Sequence, residues 1–200
     1  MNHEKDSKCW FEEVSAERLF GDRRIELYRK AYRTWDDRIL APYYSLKLGD
    51  YVLIVALDTE GNYICVRQFR PGIQCVTTEF PAGGIETKQS SLDYTEEELL
   101  GNAKRELCEE TGYTSGQWTK LFAVPANATL ANNTAYIYLA ENCVKTSEQK
   151  LDETEYLEVR LYSSDELDSL VCHGGFQHAV HVLALYLAKE KRITRGLKRV

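Results

Sequence analysis

Three glutamates, Glu106, Glu109 and Glu110, lie close together in the stretch RELCEET. On a helix, the spacing i, i+3 and i+4 projects all three carboxylates to one side of the same two turns. Carboxylates that close either raise one another's pKa or bind a cation, and their oxygens suit hard ions such as Mg²⁺ and Mn²⁺. The alternative is a solvated helix face on which Arg105 pairs with Glu109, and spacing alone does not exclude it.

A helix has to present these glutamates, and the sequence predicts one from about Thr95 through RELCEET. Thr95 and Glu98 have the spacing of a capping box, and Gly112 follows as a C-cap. We expect an apolar stripe beside the acidic side to anchor this helix to a sheet: Leu100, Ala103 and Leu107.

The rest of the chain predicts an α/β fold, an α/β/α sandwich with a mixed sheet. YVLIVAL, the turn DTEGN and YICVRQF predict a hairpin of two strands. Further strands are predicted at VTTEF, KLFAV, AYIYLAE and EYLEVRLY, and helices at SSDELDSLV and from about residue 176 to 191. Extended segments between residues 10 and 45 predict a small N-terminal sheet, so we place an N-terminal extension at 1–45 and the main domain at 46–200.

Composition narrows the class of protein. The chain has 200 residues, a net charge of −6 and six widely spaced cysteines without a C-x-x-C pair. Neither a zinc site nor a disulfide framework is indicated, and the net charge disfavours nucleic acid as a partner. The charged start MNHEKDSKCW and the lack of a long apolar run disfavour secretion and membrane insertion, so we expect a cytoplasmic protein.

The order of three motifs favours metal chemistry over a solvated helix face. RQFR, PAGGIE and RELCEETGY together resemble the Nudix box, G-x5-E-x7-R-E-U-x-E-E-x-G-U, in which U is apolar or aromatic and Tyr113 takes the last position. Gly83 opens the box, and Glu97 stands seven residues before Arg105. Thirteen residues rather than five separate Gly83 from Glu97, and ungapped counting reaches Gln89. We expect Glu97 to replace the first box glutamate, with the extra residues QSSLDYTE forming a loop beside the cleft.

The resemblance implies roles for individual residues. It implies a Mg²⁺ or Mn²⁺ site with these ligands: Glu106, Glu109, Glu110 and the backbone carbonyl of Ala82. It implies that four residues hold the box in place: Gly83, Glu97, Arg105 and Gly112.

Similarity outside the box points to the ADP-ribose and nucleoside-diphosphosugar pyrophosphatase branch, through RQFRPG, EFPAGGIE and VPANATLANN ahead of YIYLAE. The residues assigned to the substrate are Arg67, Arg70 and Gly84. We expect both arginines to face the cleft as a fork for a diphosphate, with Arg70 favoured. The alternative is that they are exposed charges protecting a strand edge.

Two further groups of residues are less decisive. Glu153 and Glu155, in LDETEYLEV, match the place of a mobile-loop glutamate that acts as general base or completes the metal site, and Glu155 is narrowly preferred. The asparagines of ANATLANN either shape a loop or contact ligand. We interpret the histidines near the last helix, His173, His178 and His181, as surface or capping residues.

The predicted function is metal-dependent hydrolysis of a diphosphate in ADP-ribose or a related nucleoside-diphosphosugar. Because the first half of the box is altered, a catalytically silent sensor of nucleotide sugars is a second hypothesis. A hydrolase of another nucleoside diphosphate derivative, such as a dinucleoside polyphosphate, coenzyme A or an RNA cap, is a third. The resemblance also implies a homodimer to which the N-terminal strands contribute.

Overall fold

The computed structural model describes residues 10–86, 94–153 and 155–197. The chain divides into two compact units, one of residues up to Gly49 together with Pro125–Asn133, and one from Asp50 to Val124 continuing at Thr134. The first unit therefore includes the segment 125–133, which the sequence-based division at residue 45 placed with the main domain.

Strands and helices alternate irregularly along the described residues. In chain order the elements are β1 (Phe11–Gly21), β2 (Ile25–Thr34), β3 (Ile39–Leu48), β4 (Tyr51–Asp58), β5 (Tyr63–Arg70), β6 (Cys75–Glu79), β7 (Ala82–Gly84), α1 (Glu96–Thr111), β8 (Tyr113–Thr114), β9 (Gln117–Pro125), β10 (Thr134–Lys145), β11 (Leu157–Tyr162), α2 (Ser164–Cys172) and α3 (Ala179–Leu197).

The first unit is an antiparallel sheet in the order β1-β2-β3. Edge-on aromatic contacts join Phe11 to Tyr32 and Tyr32 to Tyr43 across the strands. The segment 125–133 is tied to β3, because the Asn132 side chain accepts a hydrogen bond from the Leu48 N–H at 3.1 Å. The Asn133 side chain likewise donates to the Gly49 carbonyl at 3.2 Å, so these two asparagines shape the loop through side-chain-to-backbone bonds. Almost all of β1 is exposed, including large apolar side chains: Phe11, Val14, Leu19 and Phe20.

The second unit is built on a mixed sheet in the order β11-β5-β4-β10-β8, with β6 on β5, β7 on β4 and β9 on β10. Strands β4 and β10 run parallel, whereas β5 pairs antiparallel with β4, β6 and β11, β7 with β4, and β8 with β10. The run VLIVAL of β4 is buried throughout because both sheet faces are covered. One cluster packs the sheet against α2 and α3, and another packs it against α1. This confirms the predicted α/β sandwich with a mixed sheet.

Helix α1 has the predicted caps. The Thr95 hydroxyl accepts a bond from the Glu98 N–H at 3.2 Å, and the Glu98 carboxylate accepts one from the Thr95 N–H at 2.9 Å. Gly112, at φ 76°, ends the helix through a bond to the Cys108 carbonyl. These local bonds satisfy groups that a helix end leaves open, which is why the helix bounds could be predicted.

The last helix is the element whose bounds differ most from the prediction. α3 begins at Ala179 rather than near residue 176, after a turn in which Gly174 has φ 76°, and it extends to Leu197. Among the described residues, no helix combines the length and apolar character needed to cross a membrane.

Candidate active site

The acidic side of α1 is largely buried. Glu106 and Glu110 are 7% and 4% exposed, and Glu109 is half-buried. Burial is the main cause that raises the pKa of Glu106 and Glu110, and each also feels the negative charge of nearby glutamates. Buried carboxylates need compensating charge to stay ionised. The site therefore carries an excess of negative charge that a cation would neutralise.

The apolar side of α1 positions these carboxylates. Leu99, Ala103 and Leu107 are almost fully buried against the sheet, whereas Leu100 is only partly buried. Leu99 thus belongs to the anchoring stripe, one position before the residue named from the sequence. Because the stripe is buried on one side, the helix cannot rotate to expose Glu106 and Glu110 fully without losing these contacts.

Arg105 links the acidic helix to the preceding segment. Its Nη1 donates to Glu109 Oε2 at 2.7 Å, and its Nη2 donates to Glu106 Oε1 at 2.7 Å and to the Gly84 carbonyl at 3.2 Å. The guanidinium therefore offsets part of the negative charge and joins α1 to β7. This is the geometry expected of a residue that holds helix and loop together.

Strand β7, the Ala82–Gly84 part of PAGG, lies directly against the carboxylates. The Ala82 N–H donates to Glu110 Oε2 at 3.0 Å. A Cβ atom on Gly83 would stand 2.2–2.3 Å from the carboxyl atoms of Glu106, so only glycine permits this approach. Gly84 has open space where a Cβ would be, and its carbonyl accepts the bond from Arg105.

The donors at this site fit a hard divalent cation. Glu106, Glu109 and Glu110 supply only oxygens, and no described partner donates a hydrogen bond to Glu106 Oε2 or Glu110 Oε1. Within the described ranges, no three Asp, Glu, His or Cys side chains converge as a ready-made metal site. The reason is that Arg105 draws Glu106 and Glu109 toward itself while the Ala82 N–H holds one oxygen of Glu110. A cation at these carboxylates would have to compete with Arg105.

A loop after β10 is fastened to the C-terminal end of α1. The Thr146 N–H donates to the Gly112 carbonyl at 2.9 Å, the Gln149 side chain to the Glu110 carbonyl at 2.7 Å, and the Lys150 N–H to the Glu109 carbonyl at 2.8 Å. The helix end therefore fixes the start of the loop that carries the two candidate base residues.

The two candidate base residues, Glu153 and Glu155, have different surroundings. Glu155 folds back on its loop, since its Oε2 accepts a bond from the Asp152 N–H at 3.0 Å. Burial is the largest cause of the raised pKa of Glu106 and Glu110, and the negative charge of Glu155 also raises both pKa values. Glu153 is exposed and has no hydrogen bond or ion pair to the residues described. Glu155 is therefore the candidate base whose charge acts on Glu106 and Glu110.

We expect any replacement of Gly112 to lower the stability of the fold, because the loop after β10 passes close to this residue. We predict that Gly112→Ala destabilises the fold by about 2 kcal/mol more than Gly174→Ala. Both glycines have φ 76°, but a Cβ at Gly112 would meet the Ser147 carbonyl oxygen at 2.1 Å, whereas Gly174 has open space. Urea unfolding of both variants measures the difference, and equal losses would show that φ alone accounts for the glycine.

Arg67 and Arg70 do not form a fork, so the expectation that both face the cleft is wrong. β5 pairs regularly with β6, and residues three positions apart on a regular strand point to opposite faces. Arg67 is partly exposed and donates to Glu158 on β11 at 3.2 Å. Arg70 binds the carboxylate of Glu79 on β6 through both Nε and Nη2, with Nε to Oε1 at 2.8 Å.

Glu79 and His181 form a buried polar pair that sequence reasoning missed. Glu79 is 0% and His181 1% exposed, with His181 Nε2 3.5 Å from Glu79 Oε2. The interpretation of His181 as a surface or capping residue is therefore wrong. His173 does cap α2, and His178 is exposed, as expected. The only sequence signal was an acidic residue inside the apolar-flanked strand VTTEF.

The first half of the box differs from the expectation in one respect. Glu97 is exposed in the first turn of α1 and has no hydrogen bond or ion pair within the described part of the chain. Asn102 instead ties the helix to the preceding segment, accepting a bond from the Glu86 N–H at 2.9 Å and donating to the Glu86 carbonyl at 3.1 Å. Gln89 and most of the expected loop QSSLDYTE lie outside the described residues.

Comparison with known proteins agrees with the family resemblance of the sequence motifs. A sequence model of the NUDIX domain matches residues 47–185. The chain is 31% identical over 159 residues to the ADP-ribose pyrophosphatase of Bacillus subtilis (strain 168), covering 79% of this chain and 81% of that protein. It is 28% identical over 143 residues to the methanol dehydrogenase activator of Bacillus methanolicus, covering 71% and 64%.

The fold has a close counterpart among solved structures. The crystal structure of an ADP compounds hydrolase superposes with a TM-score of 0.75 at 20% identity, covering 95% of this chain and 97% of that chain. At this identity the likeness concerns the fold. Because the domain match spans well over half of the chain and includes the whole acidic helix, the protein belongs to the Nudix family and is a hydrolase of the Nudix pyrophosphatase type.

Proposed function

We propose that this Nudix enzyme hydrolyses the diphosphate linkage of ADP-ribose or a related nucleoside-diphosphosugar, using Mg²⁺ or Mn²⁺. The products are a nucleoside monophosphate and a sugar phosphate. The proposal depends chiefly on two buried carboxylates, Glu106 and Glu110, which lie against β7. Each has one oxygen that accepts no hydrogen bond from the residues that the structure describes. The similarity to an ADP-ribose pyrophosphatase supports the substrate class.

The cation is assigned to the acidic face. Glu106, Glu109 and Glu110 would hold it, with the carbonyl of Ala82 as a further ligand. When bound, the cation neutralises the charge of the diphosphate and lowers the pKa of a water molecule. Arg105 then keeps Gly84 and the helix in register through its bond to the Gly84 carbonyl.

Arg70 is assigned to the substrate. Glu79 occupies its Nε and Nη2, so Nη1 remains to donate to a phosphate oxygen. Gly84, which pairs with Tyr51 of β4, has no side chain and leaves room for the substrate. Orienting the diphosphate in this way would align one phosphorus for in-line attack by water.

Glu155 is the proposed general base. We predict that Glu155→Gln lowers kcat by about 10²-fold or more, because an amide cannot accept the proton of the attacking water. Glu153→Gln is the matched control, since it removes the same charge two residues away, from an exposed side chain that has no hydrogen bond or ion pair to the described residues. Steady-state kinetics on both variants tests the assignment, and equal losses would contradict it.

The decisive experiment is product analysis. The purified chain is incubated with Mg²⁺ or Mn²⁺ and a panel of ADP-ribose, other nucleoside-diphosphosugars and dinucleoside polyphosphates. Release of AMP from ADP-ribose supports the proposal. Cleavage of another nucleoside-diphosphosugar also supports it, whereas cleavage of a dinucleoside polyphosphate alone favours the hydrolase of another nucleoside diphosphate derivative. Binding of ADP-ribose without cleavage of any member favours the catalytically silent sensor, which the altered first half of the box motivates.

We also propose a homodimer formed through the N-terminal sheet, in a cytoplasmic protein. Strands β1 and β3 expose large apolar side chains, no residue of β1, β2 or β3 is fully buried, and a second copy would cover the exposed ones. We predict a dimer in sedimentation equilibrium and its dissociation by the double variant Leu19→Lys/Phe20→Lys on β1, whose native side chains are 43% and 58% exposed. Glu60→Lys, in an exposed turn of the second unit, is the charge control. A monomeric parent chain would refute the dimer, and cell fractionation checks the location.

A further inference from the structure

Glu79 is a buried carboxylate that the proposed chemistry does not use. Three groups surround it: Arg70 through two bonds, the Thr77 hydroxyl through one, and His181 at 3.5 Å. Burial raises its pKa, but the bonds from Arg70 and Thr77 and the proximity of His181 outweigh this and hold the pKa at about 2. Glu79 is therefore fully ionised at neutral pH, and its charge is directed at Arg70.

His181 is oriented by the backbone. The Phe80 N–H donates to His181 Nδ1 at 3.0 Å, so the neutral ring carries its proton on Nε2, the atom that faces Glu79. Burial lowers the pKa of His181 to about 3, which keeps the ring neutral. The neutral ring presents its Nε2–H to Glu79 Oε2, 3.5 Å away, without competing with the full positive charge of Arg70.

These contacts leave Arg70 few orientations. A free arginine side chain has many rotamers, but a guanidinium held at Nε and Nη2 by one buried carboxylate is fixed in plane and direction. The side chain is 38% exposed, and the nearby charge of Glu110 acts on it. Arg70 is therefore held by Glu79 on one side and also feels the negative charge of Glu110 on α1.

We propose that Glu79 and His181 are positioning residues for the substrate diphosphate, and that they act through Arg70 by fixing the direction of its free Nη1. This inference rests on the proposed function, because it takes the diphosphate of ADP-ribose as the group that Arg70 binds. The competing explanation is that the buried pair contributes only to stability.

A double-mutant cycle separates the two explanations. The variants are Arg70→Gln, Glu79→Gln and the double variant, which restores the charge balance between positions 70 and 79. We expect Arg70→Gln and Glu79→Gln each to raise KM for ADP-ribose by about tenfold with kcat changed much less, and the double variant to be no worse than Arg70→Gln. If KM of the double variant rises by the product of the two single-variant effects, the inference is overturned. Asp168→Asn, which breaks the Lys189–Asp168 pair between α2 and α3, is the control.

A binding measurement checks the role of His181 without turnover. ADP-ribose is titrated calorimetrically into each variant in EDTA, and thermal stability is measured in parallel. His181→Gln can keep an N–H near the position of Nε2, whereas His181→Asn keeps only an acceptor for the Phe80 N–H. We expect Gln to retain the affinity of the parent chain and Asn to lose it about as much as Glu79→Gln does. If the affinities of the two variants follow their thermal stabilities and not the presence of an N–H donor at the Nε2 position, the inference is overturned.

The outcomes distinguish this inference from the proposed function. If the parent chain cleaves ADP-ribose and the cycle is additive, the proposed function stands and the positioning role is wrong. If the parent chain neither binds nor cleaves ADP-ribose, both fail together. Tight binding without cleavage, combined with a non-additive cycle in the dissociation constants, would retain the positioning role and reject the hydrolysis of this substrate.

Discussion

Replacing Glu110 with glutamine is expected to lower kcat/KM by about 10³-fold while the chain remains folded. Glu110 is 4% exposed, and the amide can still accept the bond from the Ala82 N–H. The substitution removes one negative charge and a proposed metal ligand but keeps the shape of the side chain. Loss of stability in EDTA is not expected, because a buried charge that lacks a full counter-charge is itself costly.

The experiment on Glu110 has two readouts. Steady-state kinetics at several Mn²⁺ concentrations gives the loss of activity, and titration of Mn²⁺ followed by electron paramagnetic resonance gives the loss of metal affinity. Glu60→Gln, in the exposed turn between β4 and β5, removes a carboxylate without touching the site and is expected to behave as the parent chain. Metal-dependent activity near the parent level in both Glu110→Gln and Glu106→Gln would remove the acidic face from the mechanism.

Replacing Gly83 with alanine is expected to reduce kcat/KM by about 10²-fold, a larger effect than one methyl group on a surface strand would have. The added Cβ would stand 2.2–2.3 Å from the Glu106 carboxyl group, so that carboxylate or strand β7 has to move. Either movement changes the distance between the metal ligands. The protein is expected to stay folded, since β7 is a short strand at the edge of the site.

The matched control for Gly83 is Gly101→Ala. Gly101 lies on the exposed side of α1, and a Cβ added there would have nothing within 4 Å. Alanine is a better helix former than glycine, so this variant is expected to gain about 0.5–1 kcal/mol of stability and to keep its activity. A Gly83→Ala protein with the kinetics of the parent chain would show that Glu106 tolerates displacement, and would weaken its assignment as a ligand.

The sequence alone was enough to predict the elements whose causes are local. The capping box of α1, its C-cap at Gly112 and the hairpin of β4 and β5 depend on residues a few positions apart, so their patterns are visible in the chain. The same holds for Glu106, Glu109 and Glu110, because helical spacing places them on one side. The mixed sheet also followed from the order of the strands.

Long-range packing decided the rest. The face on which Arg70 lies depends on an unbroken strand register, and its partner Glu79 became identifiable only when β5 and β6 were paired. His181 reaches the Phe80 N–H across 101 residues of sequence, and no local pattern indicates such a contact. In the same way Glu97 has the correct spacing in the motif, but Asn102 makes the bonds that hold the helix to the preceding segment.

The amino-acid sequence by itself indicated the fold class and the acidic helix face, because periodicity and short-range bonds depend on neighbouring residues. The family followed from the resemblance of its motifs to the Nudix box. Only the tertiary structure decided which carboxylates are buried and which arginine is held by a buried partner. Burial and charge pairing depend on groups brought together from distant parts of the chain, and their energies exist only once the sheet and helices have packed.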